Sequence, residues 1–464
     1  MPDILIRNAR MVDHETIFEA DIAISNGVIE TISISPMAKV GDRVINAGGK
    51  IVIPGVIDPH SHLGQNFGIE SEVRTETRSA VTGGVTTFMT LLREYLIGGP
   101  YLENYKRVES AVETNAVCDM AFHIGIQESR HLSEMPTYLS NFGITSFKFR
   151  MVWLGDQRKK SGPNPVDDGR ILEGMKLVQR FGDPAIAMVH CENPDIIAIA
   201  QESVEQQGRK ELAAYTDSRP EIAEFNAMAQ MINLAKYVGS NLYIPHVTIG
   251  KGVELIRESM KEGVMVTGET CPHYLTHTKD CSKGSLATVD PPLREKQDIA
   301  RLWDGIKEGV IKCIGTDHAP HLKKFKRDVF GDTRGFPGTG TLLPVLLSEG
   351  FHKSRISLNE VVSVSSRNAA KVFGMYPKKG CIRVGSDADL TIVDLEKEVE
   401  VNPDLLNSAS DFTLFDGWKL KGWPVMTIVR GEVVMEDGQV VAKPGVGKVV
   451  KRTLSNPRDL LGAA

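Results

Sequence analysis

His60 and His62 bracket a single serine in the stretch IVIPGVIDPHSH, at the end of an apolar run over residues 51–58. In extended backbone alternate side chains share a face, so the two imidazoles point the same way and make half of a metal site. Four further polar groups close later apolar runs: Lys148 in GITSFKFRM, His190 in AIAMVHCE, His246 in NLYIPHVT and Asp317 in KCIGTDHA. Singly, each has a plain reading: a snorkelling lysine, core histidines with satisfied nitrogens, an aspartate capping a helix. Together those readings fail, because four imidazoles and a carboxylate buried at one place are costly without a cation to receive them. Lys148 is the odd member, since an ammonium has no lone pair and would repel metals.

The elements that would bring these residues together are strands of a parallel sheet. From residue 51 to about residue 382, apolar runs alternate with amphipathic helical stretches, the pattern of βα units. After the first run come strand candidates at 85–92, 118–126, 143–151, 185–192, 241–248, 264–271 and 312–319, which makes eight, the number that closes a (β/α)8 TIM barrel. Helices are expected at 101–115, 222–238, 249–262 and 295–309. The reactive face of such a barrel is the carboxyl end of its strands, where all six residues fall. Residues 1–50 and 383–464 instead read as short alternating strands with Gly-centred turns. The fold class is therefore α/β, a barrel over 51–382 with a small β-sandwich built from both termini.

A net charge of −5 gives no basic footprint, which argues against a nucleic-acid partner. No run approaches the roughly 20 apolar residues of a membrane helix, and MPDILIRNAR lacks a signal-peptide core, so a cytoplasmic protein is expected. Six scattered cysteines without a CxxC pair suit reduced, buried thiols.

The stretches HSH, SFKF, VHCEN, PHVT, ETCPHYLT, DPPLRE and GTDHAPH, followed by RNAAKVFGMYPKKGCIRVGSDADLTIVDL, resemble the amidohydrolase superfamily over nearly the whole chain. More narrowly they resemble the cyclic amidohydrolases: dihydropyrimidinase and hydantoinase, allantoinase, and dihydroorotase. The resemblance implies hydrolysis of a cyclic amide C–N bond with two divalent metal ions as cofactor. His60, His62 and Asp317 would hold one metal and His190 and His246 the other, with carboxylated Lys148 bridging them. Asp317 would be the general base. Zinc suits the ligands first, while manganese, cobalt and iron fit as well.

The substrate contacts depart from the relatives. Where hydantoinases carry a tyrosine five residues after the lysine, this chain has Trp153; Asp290 replaces the serine before PPLR, and Thr341 falls where an asparagine is expected. Like dihydroorotase the chain reads DHAPH, which makes His321 a substrate contact, but it lacks the arginine of HxHxR. Arg93 and Arg150 are expected to receive an anionic group on the ring, because guanidinium suits carboxylates. Allantoinase or dihydroorotase-type activity, an esterase or deaminase of another branch, and a non-catalytic dihydropyrimidinase-related scaffold stay open. The expected partner is a small cyclic amide. A homo-oligomer, tetramer or dimer, is expected, with the tail from Pro444 as an arm onto a neighbouring subunit.

Overall fold

The computed structural model describes residues 3–37, 42–151 and 167–454. Eight parallel strands form the barrel: β6 (Val56–Asp58), β7 (Val85–Leu92), β8 (Asp119–Gly125), β9 (Ser146–Arg150), β10 (Ile186–His190), β11 (Leu242–Ile244), β12 (Val266–Thr270) and β13 (Ile311–Ile314). Each hydrogen-bonds to the next in sequence. The ring closes through the His60-Ser61-His62 segment itself: Ser61 makes a parallel bridge with His318, and His62 N donates to His318 O at 2.8 Å. The segment carrying two candidate ligands is thus also the seam between first and last strands.

Nine strands form the second unit: β1 (Ile4–Val12), β2 (Ile17–Ser25), β3 (Val28–Ser33), β4 (Arg43–Asn46), β5 (Ile51–Pro54), β14 (Leu390–Glu400), β15 (Lys419–Val429), β16 (Glu432–Glu436) and β17 (Gln439–Val440). The two termini meet where β5 pairs with β1 on one side and β14 on the other. The protein is a (β/α)8 TIM barrel with a small β-sandwich.

The apolar run at 51–58, expected as one strand, is two. Ile51–Pro54 belongs to the sandwich and Val56–Asp58 to the barrel, with Gly55 between them. A Cβ at Gly55 would lie 2.1 Å from Thr86 Oγ1, so only glycine lets the chain cross between sheets here. The period of two does the rest: Ile51 and Ile53 join the core shared with the barrel, while Val52 joins the sandwich core.

The expected helices appear at Tyr101–Asn115, Glu221–Val238, Gly250–Lys261 and Lys296–Lys307. Strands β11 and β13 are shorter than expected, because His246 (φ 45°) and Asp317 (φ 51°) leave extended backbone for the left-handed region. The tail from Pro444 is described as far as residue 454. Its described part runs across the amino end of its own barrel: Val450 N donates to Met120 O at 2.7 Å and Arg452 N to Gly143 O at 2.8 Å. Among the described residues no helix is long and apolar enough to cross a membrane.

Candidate metal and substrate site

All six expected groups meet at the carboxyl end of the barrel. Lys148 Nζ lies 3.0 Å from His60 Nε2. Asp317 Oδ1 lies 2.7 Å from His62 Nε2 and 3.3 Å from His60 Nε2. His190 Nδ1 and His246 Nε2 are 3.1 Å apart, and the His60 and His246 rings are 5.4 Å centre to centre. Lys148 and His190 project from strands β9 and β10; the other four stand just past a strand end. Two of those four, His246 and Asp317, hold the left-handed backbone, a cost of order 1–3 kcal/mol each that persists where surrounding structure over-determines it.

Carboxylates behind the ring fix the imidazoles. Glu269 accepts the Tyr243 hydroxyl at 2.6 Å and the His246 N–H at 3.2 Å, and its Oε1 faces His60 Nδ1 at 2.8 Å. A carboxylate only accepts, so His60 Nδ1 carries a proton and the ring is held with Nε2 toward Lys148 and Asp317. Glu192 plays the same part for His190 Nε2 at 2.8 Å, and Arg219 donates to that Glu192 oxygen at 2.7 Å.

The charges sort the same way. Burial pushes His62 down to about 3, against the pull of Asp317, and pushes His190 and His246 well below the ordinary imidazole range, so these rings are neutral. Burial alone would raise the Asp317 pKa, but His60 and His62 hold it well below the usual carboxylate range. Burial pushes the Lys148 amine down to about 8, against Asp317 and Glu269. His60 Nε2 faces the ionised Asp317 oxygen at 3.3 Å and Lys148 Nζ at 3.0 Å. Imidazole and carboxylate groups converging in this way are the donors a divalent cation takes.

His62, Lys148, His190, His246 and Asp317 line a cavity of about 290 Å³ whose walls include Arg93, Arg150, Asp290 and Arg334. Arg150 Nη2 reaches Asp290 Oδ2 at 3.4 Å, and Arg219 Nη2 donates to the same oxygen at 3.1 Å. The Tyr215 hydroxyl donates to Asp290 Oδ1, and Arg334 Nε to the Tyr215 oxygen at 2.8 Å. Burial would raise the Asp290 pKa, yet Arg219, Arg334 and Arg150 keep it well below its ordinary value. Arg93 Nη1 donates to Tyr95 Oη at 2.9 Å.

Two expected substrate contacts are not brought to the cavity. His321 Nε2 donates to Arg334 O at 2.9 Å and its Nδ1 faces Asn66, so it pins the loop behind the wall. Thr341 is buried with its hydroxyl on Gly338 O at 3.0 Å. Trp153 lies outside the described residues. Sequence reasoning missed Glu192 and Glu269, although both sit inside the stretches VHCEN and ETCPHYLT. It also missed Arg219, Arg334 and Tyr215, for which no local signal exists.

A second acidic cluster, Asp119, Asp387 and Asp389, has metal-like spacing. It already holds a cation: Lys379 Nζ lies 2.7, 3.0 and 2.5 Å from the three carboxylates.

A barrel with histidines, a lysine and an aspartate gathered at its strand ends defines an amidohydrolase. The chain matches the family described as Amidohydrolase family over residues 51–434, and it belongs to that family. Among individual proteins it is similar to the D-hydantoinase of Geobacillus stearothermophilus, 35% identical over 97% of this chain and 96% of that protein. It is also similar to the L-hydantoinase of Paenarthrobacter aurescens, 33% identical over 97% and 98% of the two chains. Among solved structures, an L-hydantoinase (dihydropyrimidinase) from Arthrobacter aurescens superimposes with a TM-score of 0.91 at 33% identity, covering 97% of this chain and 100% of that one. A crystal structure of D-hydantoinase gives 0.88 at 34% identity, covering 97% and 98%.

Proposed function

We propose that the protein hydrolyses a ring C–N bond of a cyclic amide of the hydantoin, dihydropyrimidine or imide class. The names of its relatives support the reaction class. The observation that carries the mechanism is the meeting of six groups, with Lys148 Nζ 3.0 Å from His60 Nε2 and an ionised Asp317 beside both.

In this reading His60, His62 and Asp317 would hold one divalent cation and His190 and His246 a second, and Lys148, once carboxylated, would add an anionic carbamate to the donor set. When bound, such a pair polarises the scissile carbonyl and acidifies a water molecule. Zinc suits the donor set first, and manganese, cobalt or iron also fit.

The chain's own residues supply the rest. With its pKa lowered to about 8, the Lys148 amine is neutral often enough to attack carbon dioxide, forming an N–C bond and releasing one proton to leave an anionic carbamate. Asp317, ionised and beside His60 and His62, takes a proton from the attacking water and returns it to the leaving ring nitrogen. On the wall, the Asp290 carboxylate can only accept, so it suits a ring N–H. Arg93 and Arg150 suit a ring carbonyl or an anionic substituent.

The test is metal analysis with a substrate panel. Protein grown in supplemented medium should hold about two divalent ions per chain. It should open one or more of hydantoins, dihydropyrimidines, cyclic imides, allantoin or dihydroorotate. Turnover of aryl esters alone, or a preparation without divalent metal, overturns the reading.

A further inference from the structure

Arg452 is an arginine in the tail, 2% exposed, with its guanidinium inside the amino end of the barrel. No carboxylate lies within ion-pair distance of it among the described residues. Its Nη1 donates to Ser146 Oγ at 2.8 Å and its Nη2 to Phe122 O. Ser146 Oγ is in turn 2.6 Å from His123 Nδ1, and His123 Nε2 is 2.9 Å from Pro59 O. Pro59 immediately precedes His60, and Ser146 stands two residues before Lys148 on strand β9.

The direction of every bond in this chain is forced from its two ends. A guanidinium only donates, so Ser146 Oγ accepts from Arg452. A carbonyl only accepts, so His123 Nε2 must carry a proton for Pro59 O. Burial, with the Arg452 charge behind it, pushes the His123 pKa well below its ordinary value, so the ring is neutral and Nδ1 is bare. The Ser146 hydroxyl proton then has one place to go, onto His123 Nδ1. The sequence Arg452 to Ser146 to His123 to Pro59 is a one-way relay.

The tail is built to hold Arg452 there. Met120 N donates to Lys448 O at 2.9 Å, and Lys451 Nζ pairs with Glu109 Oε1 at 2.7 Å. A Cβ on Gly447 would lie 2.1 Å from Cys118 O, so the close approach needs glycine.

We propose that Arg452 is a positioning residue for the metal site: by fixing the tautomer of His123 through Ser146, it anchors the Pro59 carbonyl and with it the segment that presents His60. This rests on the reading of His60 as a metal ligand. A buried hydrogen-bonded shell of this kind acts as a unit, and losing one member costs on the order of ten- to a hundredfold in metal affinity.

The experiment compares Arg452→Met, Arg452→Lys and Ser146→Ala in the full chain loaded with zinc. One readout is the rate of metal loss to a chelator, the other the imidazole 15N resonances of His123. Met and Ala are expected to lose metal about tenfold faster than wild type and to blur the Nε2–H signature, while Lys, also donor-only, stays within about twofold. A tail that merely clamps the barrel predicts that Ser146→Ala behaves as wild type; that result, or a Lys variant as leaky as Met, overturns the proposal. If Arg452→Met does not fold, Ser146→Ala and Arg452→Lys still decide. A wild type that takes up no metal counts against the proposed function instead, and the His123 resonances then judge the relay alone.

Discussion

Glu269 Oε1 and His60 Nδ1 lie 2.8 Å apart with both groups fully buried, and that bond turns His60 Nε2 toward Lys148 and Asp317. Glutamine at 269 keeps the shape but can offer an N–H where a carboxylate only accepts, which favours the wrong tautomer. Glu269→Gln should weaken metal binding by on the order of ten- to a hundredfold with the fold retained. Metal content after dialysis against graded chelator reads this, and content equal to wild type would show that His60 is oriented by something else.

Lys148→Arg separates a carbamate bridge from a plain cation. Arginine fills similar space but stays protonated, so it cannot react with carbon dioxide and would repel a neighbouring metal. Bound metal should fall from about two ions per chain to one or none, and hydrolysis should fall at least about a hundredfold. A variant that retains both ions removes the bridging role of Lys148.

The six site residues were legible because each combines a metal-competent or reactive type with the end of an apolar run, and a barrel sends all such ends to one rim. What surrounds them was not. Glu269 and Glu192 sit in motif text, but their task appears only when His60 and His190 are placed against them. Arg219 and Arg334 come from separate segments and meet Asp290 only in the folded chain. The split of the first apolar run at Gly55 depends on Thr86 in the next strand, which no local pattern encodes. The packing of residues 445–452 against the barrel was not legible, because a short polar stretch has too few side chains to show periodicity, although its Gly-rich text is what brings it against Cys118.

Lys379 should matter for stability more than for chemistry. Its buried ammonium touches Asp119 at the start of strand β8 and Asp387 and Asp389 on the approach to strand β14, so one cation ties the barrel to the sandwich. Lys379→Met leaves three carboxylates buried with Arg430 as their remaining ion partner among the described residues. Breaking a buried pair in this way costs about 3–5 kcal/mol. Calorimetry should record a lower Tm at unchanged metal content, and an unshifted Tm would mean the carboxylates find water or protons without cost.

Glu94 gives a pH dependence whose sign follows from its surroundings. Burial alone would raise its pKa, but His131 at 3.3 Å, Arg130 and the Tyr101 N–H at 3.0 Å bring it from 4.5 down to about 2. A folded value below the unfolded one means that the carboxylate's contribution is complete above about pH 4.5 and drains away as pH falls toward about 2. The Tm gap between wild type and Glu94→Gln should therefore stay constant from about pH 7 to about pH 5 and narrow below that. A gap that widens on acidification would mean that the charged form of Glu94 is not the one the fold prefers.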